Sequence, residues 1–200
     1  MDERLLHAET IVFDVGNVLL SFDPRKVAQL IPEEHREKMF EAMFGPDYRW
    51  GAFDLGAQSN AEIAESIAKA AGVEGGQAMV LNAYDHFPET MVPLPLYGLI
   101  EPLKAMGKKL YALTNFGEPA FTASLEAFPK LSLMDGHIVS AREKLVKPDP
   151  KIFRTLVSRF SLVPENVLYI DDALPNAEAA AKEGFRVWHY VGADRLPENT

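Results

Sequence analysis

Residues 11–18 read IVFDVGNV: a β-branched apolar run, then Asp14, then the turn residues Val15, Gly16 and Asn17. Such a run predicts a buried strand that delivers a carboxylate to its own tip. Taken alone the pattern is ordinary, because Asp opens turns and DVGN is good turn chemistry. What gives it meaning is the set of polar residues that other strands bring to the same edge.

With TIVFD at 10–14 as the first, five short apolar segments read as strands; the others are KLYALT at 109–114, HIVS at 137–140, VLYID at 167–171 and RVWHYV at 186–191. Helical patterns lie between them. One covers 96–107 and closes on Gly107; another covers 118–128 with Pro119 in its first turn. The next covers 149–160, with Asp149 as cap and Pro150 just inside, and the last covers 174–184 and closes on Gly184. Strand and helix in alternation predict an α/β fold with a Rossmann-like, doubly wound parallel sheet.

The spacings add a second element. Thr114 to Lys147 is 33 residues and Lys147 to Asp171 is 24, both compact, but Asp14 to Thr114 is 100, far more than one crossover needs. The surplus reads as helical: PRKVAQLI, EEHREKMFEAMFG, and SNAEIAESIAKAAG with a Ser59–Glu62 capping box. The expected organisation is an α/β core of residues 1–21 plus 91–200, carrying an inserted all-α cap of residues 22–90.

Composition narrows the function classes. The chain has 200 residues, 48% apolar and 24% charged, enough for an ordinary globular core. A formal charge of −9 argues against nucleic-acid and anionic-membrane partners. The absence of cysteine excludes disulfides, thiolate metal sites and a cysteine nucleophile. The start, MDERLLHAE, is charged where a secretion signal is apolar, and no run reaches membrane-span length. A cytoplasmic protein is expected, with no oligomeric state implied.

In an open parallel sheet, ligands bind outside the carboxyl ends of the strands. Asp14, Thr114-Asn115 and Asp171-Asp172 all fall at strand ends, with Lys147 in the loop before the 149–160 helix. Each has a bland reading on its own: a turn, a helix cap or a solvated lysine. Together, three carboxylates at one edge repel each other unless a cation or a basic side chain sits among them. Oxygen-only donors suit Mg²⁺, which also binds substrate phosphate. A lysine and a hydroxyl then supply the phosphate's remaining partners, and an aspartate beside the phosphoryl group is a competent nucleophile.

These residues, in this order, resemble the four motifs of the haloacid dehalogenase-like hydrolase superfamily: FDVGNV, ALTN, VKPDP and YIDDALPNAEAA. The helical insertion falls where that superfamily places its C1 cap. The resemblance implies Asp14 as nucleophile and metal ligand, the Gly16 carbonyl and Asp172 as further Mg²⁺ ligands, and Asp171 as a further or outer ligand. It implies that Thr114 and Asn115 hold the phosphoryl oxygens and that Lys147 neutralises charge between Asp14 and that group. The FDxGNV motif, followed by Phe22-Asp23-Pro24 and Val27, is similar to a branch of small sugar-phosphatase-like hydrolases. The implied activity is Mg²⁺-dependent hydrolysis of a small phosphorylated metabolite through an aspartyl-phosphate.

Gly16 departs from the common pattern, in which a second Asp two residues after the nucleophile moves the proton. Either another group substitutes, with Asp23, Asp85 and His86 as candidates by chain position, or the leaving group needs little help, or phosphate esters are not turned over. Two rival functions follow: a metal-independent 2-haloacid dehalogenase using Asp14, and a non-catalytic protein that binds through the same pocket. Residues 48–60 read as a lining loop, although Trp50 and Phe53 suit the cap's own core better. Phe116 and Gly117 border the expected pocket, and His137 and His189 read as packed residues.

Overall fold

The computed structural model describes residues 1–191, so the part of the expected core domain at 192–200 lies outside the described residues. Five strands form one parallel sheet: β1 (Thr10–Phe13), β2 (Lys109–Thr114), β3 (Gly136–Val139), β4 (Val167–Asp171) and β5 (Arg186–His189), in the order β3-β2-β1-β4-β5. Successive side chains alternate between faces. Ile11 and Phe13 join one apolar cluster with Leu110, Ala112, Leu168 and Ile170, whereas Val12 joins the opposite one with Tyr111, Leu113 and Tyr169. Helix Pro150–Phe160 covers the second face with Ile152, Phe153 and Leu156. The sheet is therefore doubly wound, and its strands are apolar throughout because both faces are buried.

The last strand stops at His189, short of the expected 191, and two further elements depart from expectation for local reasons. The pattern read as one helix at 96–107 divides into Pro95–Gly98 and Ile100–Ala105. Pro102 has no N–H to offer the carbonyl four residues back, which interrupts the ladder there. The strand read at 137–140 shifts to Gly136–Val139, and Ser140 instead opens a short helix, Ser140–Glu143.

Between β1 and β2 the chain builds helices Pro24–Ala28, Arg36–Phe44, Gly51–Leu55, Asn60–Ala71 and Gly76–His86. Asn60–Ala71 carries the expected capping box: the Ser59 hydroxyl accepts from the Glu62 N–H, and the Glu62 carboxylate accepts from the Ser59 N–H at 2.9 Å. Gly51–Leu55 and Gly76–His86 escape pattern reading because glycine, a poor helix former, opens both. The chain leaves and rejoins the core side by side, with Ser21 N–H donating to Val92 C=O at 2.9 Å and Leu94 N–H to Leu19 C=O at 2.8 Å. The helices are not a detached body: Met39, Trp50, Phe53, Ile63 and Tyr84 share one apolar cluster with Ile11 and Phe13 of β1. No helix among the described residues is long and apolar enough to cross a membrane.

Candidate active site

The sheet order places the site. β1 connects toward β2 and β3 while its other neighbour, β4, connects toward β5, so a crevice opens between β1 and β4 at their carboxyl ends. Phe13 pairs with Ile170, and the Asp14 N–H donates to the Ile170 carbonyl at 2.8 Å. This register sets Asp14 beside Asp171. Asn17 makes the turn that follows, at φ 55°, a conformation asparagine tolerates better than most residues. Its side-chain oxygen accepts from the Phe22 N–H at 3.0 Å and fixes the loop.

Lys147 reaches this point from the other side of the sheet edge. Its loop is clamped to Asn115, whose side chain accepts from Lys147 N–H at 2.8 Å and donates to Lys147 C=O at 3.0 Å. The Lys147 Nζ lies 2.9 Å from Asp14 Oδ1 and 2.8 Å from Asp171 Oδ2. All three side chains are buried. Burial alone lowers an ammonium's pKa, yet the charges of Asp14 and Asp171 outweigh it and hold Lys147 above its ordinary value. Burial raises the Asp14 carboxyl, and the charges of Asp171 and Asp172 add to this. Lys147 offsets only part, so Asp14 is pushed up to about 7.

Asp171 and Asp172 differ in what they face. Both Asp171 oxygens are engaged: Oδ1 accepts from Ala173 N–H at 2.9 Å, and Oδ2 accepts from Lys147 and from the Tyr169 hydroxyl, with Asn176 Nδ2 within 3.2 Å of both. Asp172 lines the cavity, and its carbonyl meets His189 Nε2 at 3.0 Å. Asp14, Asp171 and Asp172 each bring one oxygen into a group lying within 4.8 Å of one another.

The cavity, of about 180 Å³, is lined from below by Asp14, Gly16, Thr114, Asn115, Lys147 and Asp172. Its roof is aromatic, with Phe22, Trp50, Phe87 and Phe116. Trp50 thus packs the cap and also faces the cavity, while Phe53 is wholly buried and stacks on Tyr84 at 4.0 Å. His137 is packed as expected, its Nε2 donating to the Leu131 carbonyl at 2.8 Å and its ring lying against Phe121.

None of the three candidates for the missing proton carrier lies in the cavity. Asp23 caps helix Pro24–Ala28, accepting from Arg25 N–H at 2.9 Å; Asp85 is exposed; His86 is exposed and paired with Glu89. The carboxylate that does enter from the cap is Asp54, on helix Gly51–Leu55. Sequence reading passed over it inside the 48–60 stretch because a helix of this length has no usable period.

The backbone around Asp54 is tied to the core. Ser140 Oγ donates to the Asp54 carbonyl at 2.6 Å and accepts from Phe116 N–H at 2.9 Å, and Lys144 Nζ donates to the Gly56 carbonyl. Gly56 adopts φ +60°, and a Cβ there would come within 2.9 Å of the Ala141 carbonyl oxygen. Gly56→Ala is therefore expected to destabilise the fold by about 2–4 kcal/mol, combining left-handed strain with overpacking. A denaturant melt measures this, and an unchanged midpoint contradicts the docking.

The fold and the acid-rich, lysine-bridged cavity at the switch point of its parallel sheet define a Rossmann-like α/β protein with a ligand site at the strand ends. The chain belongs to the haloacid dehalogenase-like hydrolase family, whose model matches residues 8–184. It is 26% identical to a phosphorylated carbohydrates phosphatase of Thermotoga maritima, over 88% of this chain and 82% of that protein. It is 24% identical to a sesquiterpene phosphatase of Aspergillus oryzae, over 86% and 85% of the two chains. In fold it matches a Bacteroides thetaiotaomicron enzyme of the same family solved with magnesium and inorganic phosphate, with a TM-score of 0.73 at 20% identity over 90% and 93% of the two chains. It also matches an L-2-haloacid dehalogenase of Xanthobacter autotrophicus, with a TM-score of 0.67 at 18% identity over 90% and 76%.

Proposed function

We propose that this protein is a Mg²⁺-dependent phosphohydrolase of small phosphorylated metabolites in which Asp14 is the nucleophile. The observation that carries the reading is the Asp14–Lys147 pair at 2.9 Å on the floor of a cavity that Thr114, Asn115 and Asp172 also line. A carboxylate oxygen placed there can attack a phosphorus atom whose other oxygens are held by the Thr114 hydroxyl and the backbone at Asn115. Lys147 holds charge between the attacking carboxylate and the phosphoryl group, where negative charge gathers in the transition state. Asp171, saturated by protein donors, orients Lys147 from behind.

The residues fit a hard divalent cation. The available donors are all oxygens, from Asp14, Asp172 and the Gly16 carbonyl, with Asp171 adjacent. Three carboxylates gather around one buried lysine, which pairs with Asp14 and Asp171, so the site is short of positive charge. A bound Mg²⁺ supplies the missing charge and polarises a phosphoryl oxygen.

The same excess of negative charge weighs against halide displacement, because it opposes a departing anion. Two of the relatives are named as phosphatases, one of carbohydrates and one of sesquiterpenes. The aromatic roof suits a leaving group with an apolar face, whether the C–H face of a sugar or a hydrocarbon.

A panel of sugar, prenyl, acyl and nucleoside phosphates, with 2-haloacids as controls, tests the proposal with Mg²⁺ and with EDTA. Phosphate release that EDTA abolishes is expected. Halide release that survives EDTA, or no turnover of any phosphate, would sink it.

A further inference from the structure

We propose that Asp54, brought into the cavity from the cap, performs the proton transfers for which Gly16 has no side chain. This rests on the phosphohydrolase reading and deepens it. Three carboxylates line the cavity: Asp14, Asp172 and Asp54. The first two lie in the acidic cluster on the floor, and Asp54 stands outside that cluster. It arrives from the helix that closes over the floor, the direction from which a leaving group would project once its phosphate sits between Thr114 and Lys147.

Two features make Asp54 available and well placed. Its side chain accepts no hydrogen bond from the described residues, its one contact of that kind being the backbone bond from Ser140. Its position is nevertheless fixed, because Phe53 on one side is stacked on Tyr84 and Gly56 on the other is locked against Ala141. Ser140 joins this helix to Phe116, immediately after the phosphate-side residues Thr114 and Asn115, so the proton carrier and the phosphate cradle share one anchor.

Rivals fare worse. Tyr48 also lines the cavity, but burial and the Asp54 charge push its phenol up to about 12, too weak an acid for the task. Burial and the charge of Asp14 push Asp54 itself up to about 7, the range in which one group can both give and take a proton near neutrality. Lys147 counteracts that rise only in part.

The chemistry balances in two halves. The Asp14 oxygen bonds to phosphorus, the bond from phosphorus to the leaving oxygen breaks, and that oxygen takes the Asp54 proton and departs as an alcohol. Water then adds to phosphorus and gives its proton to the Asp54 carboxylate, while the bond from Asp14 to phosphorus breaks. Inorganic phosphate leaves, with Asp14 again ionised and Asp54 again protonated.

The test is Asp54→Asn, measured on an alkyl phosphate and on 4-nitrophenyl phosphate, whose leaving group needs no proton. Turnover of the alkyl ester is expected to fall about 10²–10⁴-fold. With 4-nitrophenyl phosphate, D54N should release one equivalent of nitrophenol per site in a burst and then stall as phosphoenzyme, because only the second half still needs the base. Nothing lies within 4 Å of a Cβ built at Gly16, so the backbone there leaves room for a side chain to begin, and Gly16→Asp is the rescue variant. In the D54N background, G16D should restore alkyl-phosphate turnover by about tenfold or more, and in the parent by less. Alkyl turnover in D54N within about threefold of the parent overturns the assignment. Loss of both burst and turnover, with no rescue by G16D, assigns Asp54 a packing role and overturns it too. Failure of the underlying reading looks different: the parent itself would release no phosphate, or Asp14→Asn would remain active.

Discussion

Asp14→Asn is expected to abolish phosphate release, by about 10⁴-fold or more, while leaving the protein folded. Asparagine keeps the size of the side chain and an oxygen that can accept from Val15 N–H, a bond that measures 2.7 Å in the parent. What it loses is the nucleophilic oxygen and the negative charge. Lys147 is not stranded by the change, since Asp171 still holds it at 2.8 Å. The substitution also removes one of three crowded carboxylates, whose mutual repulsion contributes to the raised Asp14 pKa. Thermal stability should therefore match or exceed that of the parent, so a dead but stable variant is the expected pair of results. The measurements are phosphate release under saturating substrate and a melting curve. Hydrolysis that survives in D14N removes the nucleophile and the function built on it.

How much of this was legible in sequence depends on range. All five strands could be read from apolar runs, because a strand buried on both faces leaves a continuous mark. Their ends were less certain: Ser140 belongs to a helix because its hydroxyl is committed to Phe116 and Asp54, and those partners are 24 and 86 residues away. Local grammar cannot encode such partners. The helix break near Leu99 is local instead: Pro102 cannot donate to the carbonyl four residues back, so one helical period at 96–107 spans two helices.

The site divides in the same way. Asp14, Gly16, Thr114, Asn115, Lys147 and Asp172 meet at one cavity, having been picked out as strand-end and loop residues. Tyr169 and Asn176, which hold Asp171, sit two and five residues from it, near enough to have been suspected. Asp54 was a different case. Nothing about its spacing from Asp14 marks it, and only the docking of helix Gly51–Leu55 on Ser140–Glu143 brings it over the floor. Chain proximity favoured Asp23, which instead serves the ordinary role of a helix cap.

Lys147→Met should produce the largest change in stability. The ammonium is wholly buried between Asp14 and Asp171, and methionine replaces its stem with a similar apolar chain but returns no charge. Breaking a buried pair by removing one partner costs about 3–5 kcal/mol, and here two carboxylates lose the same partner. Asp171 keeps Tyr169, Ala173 N–H and Asn176, which limits its share. Among the described residues Asp14 keeps only the Val15 N–H and relieves the cost by taking up a proton. The sign with pH follows. Without Lys147, both folded carboxyl pKa values rise, and a group whose folded pKa exceeds its unfolded value contributes stability at low pH that disappears as pH increases. The deficit of K147M relative to the parent should therefore be greatest near pH 8 and narrow toward pH 5. At neutral pH it corresponds to a fall in melting temperature of roughly 6–20 °C for a chain of this size. Activity falls with it, by about 10²–10³-fold from the lost charge at the transferring phosphoryl group. A melting temperature within about 3 °C of the parent across that pH range would mean that Lys147 is not the counter-charge on which the acidic floor depends.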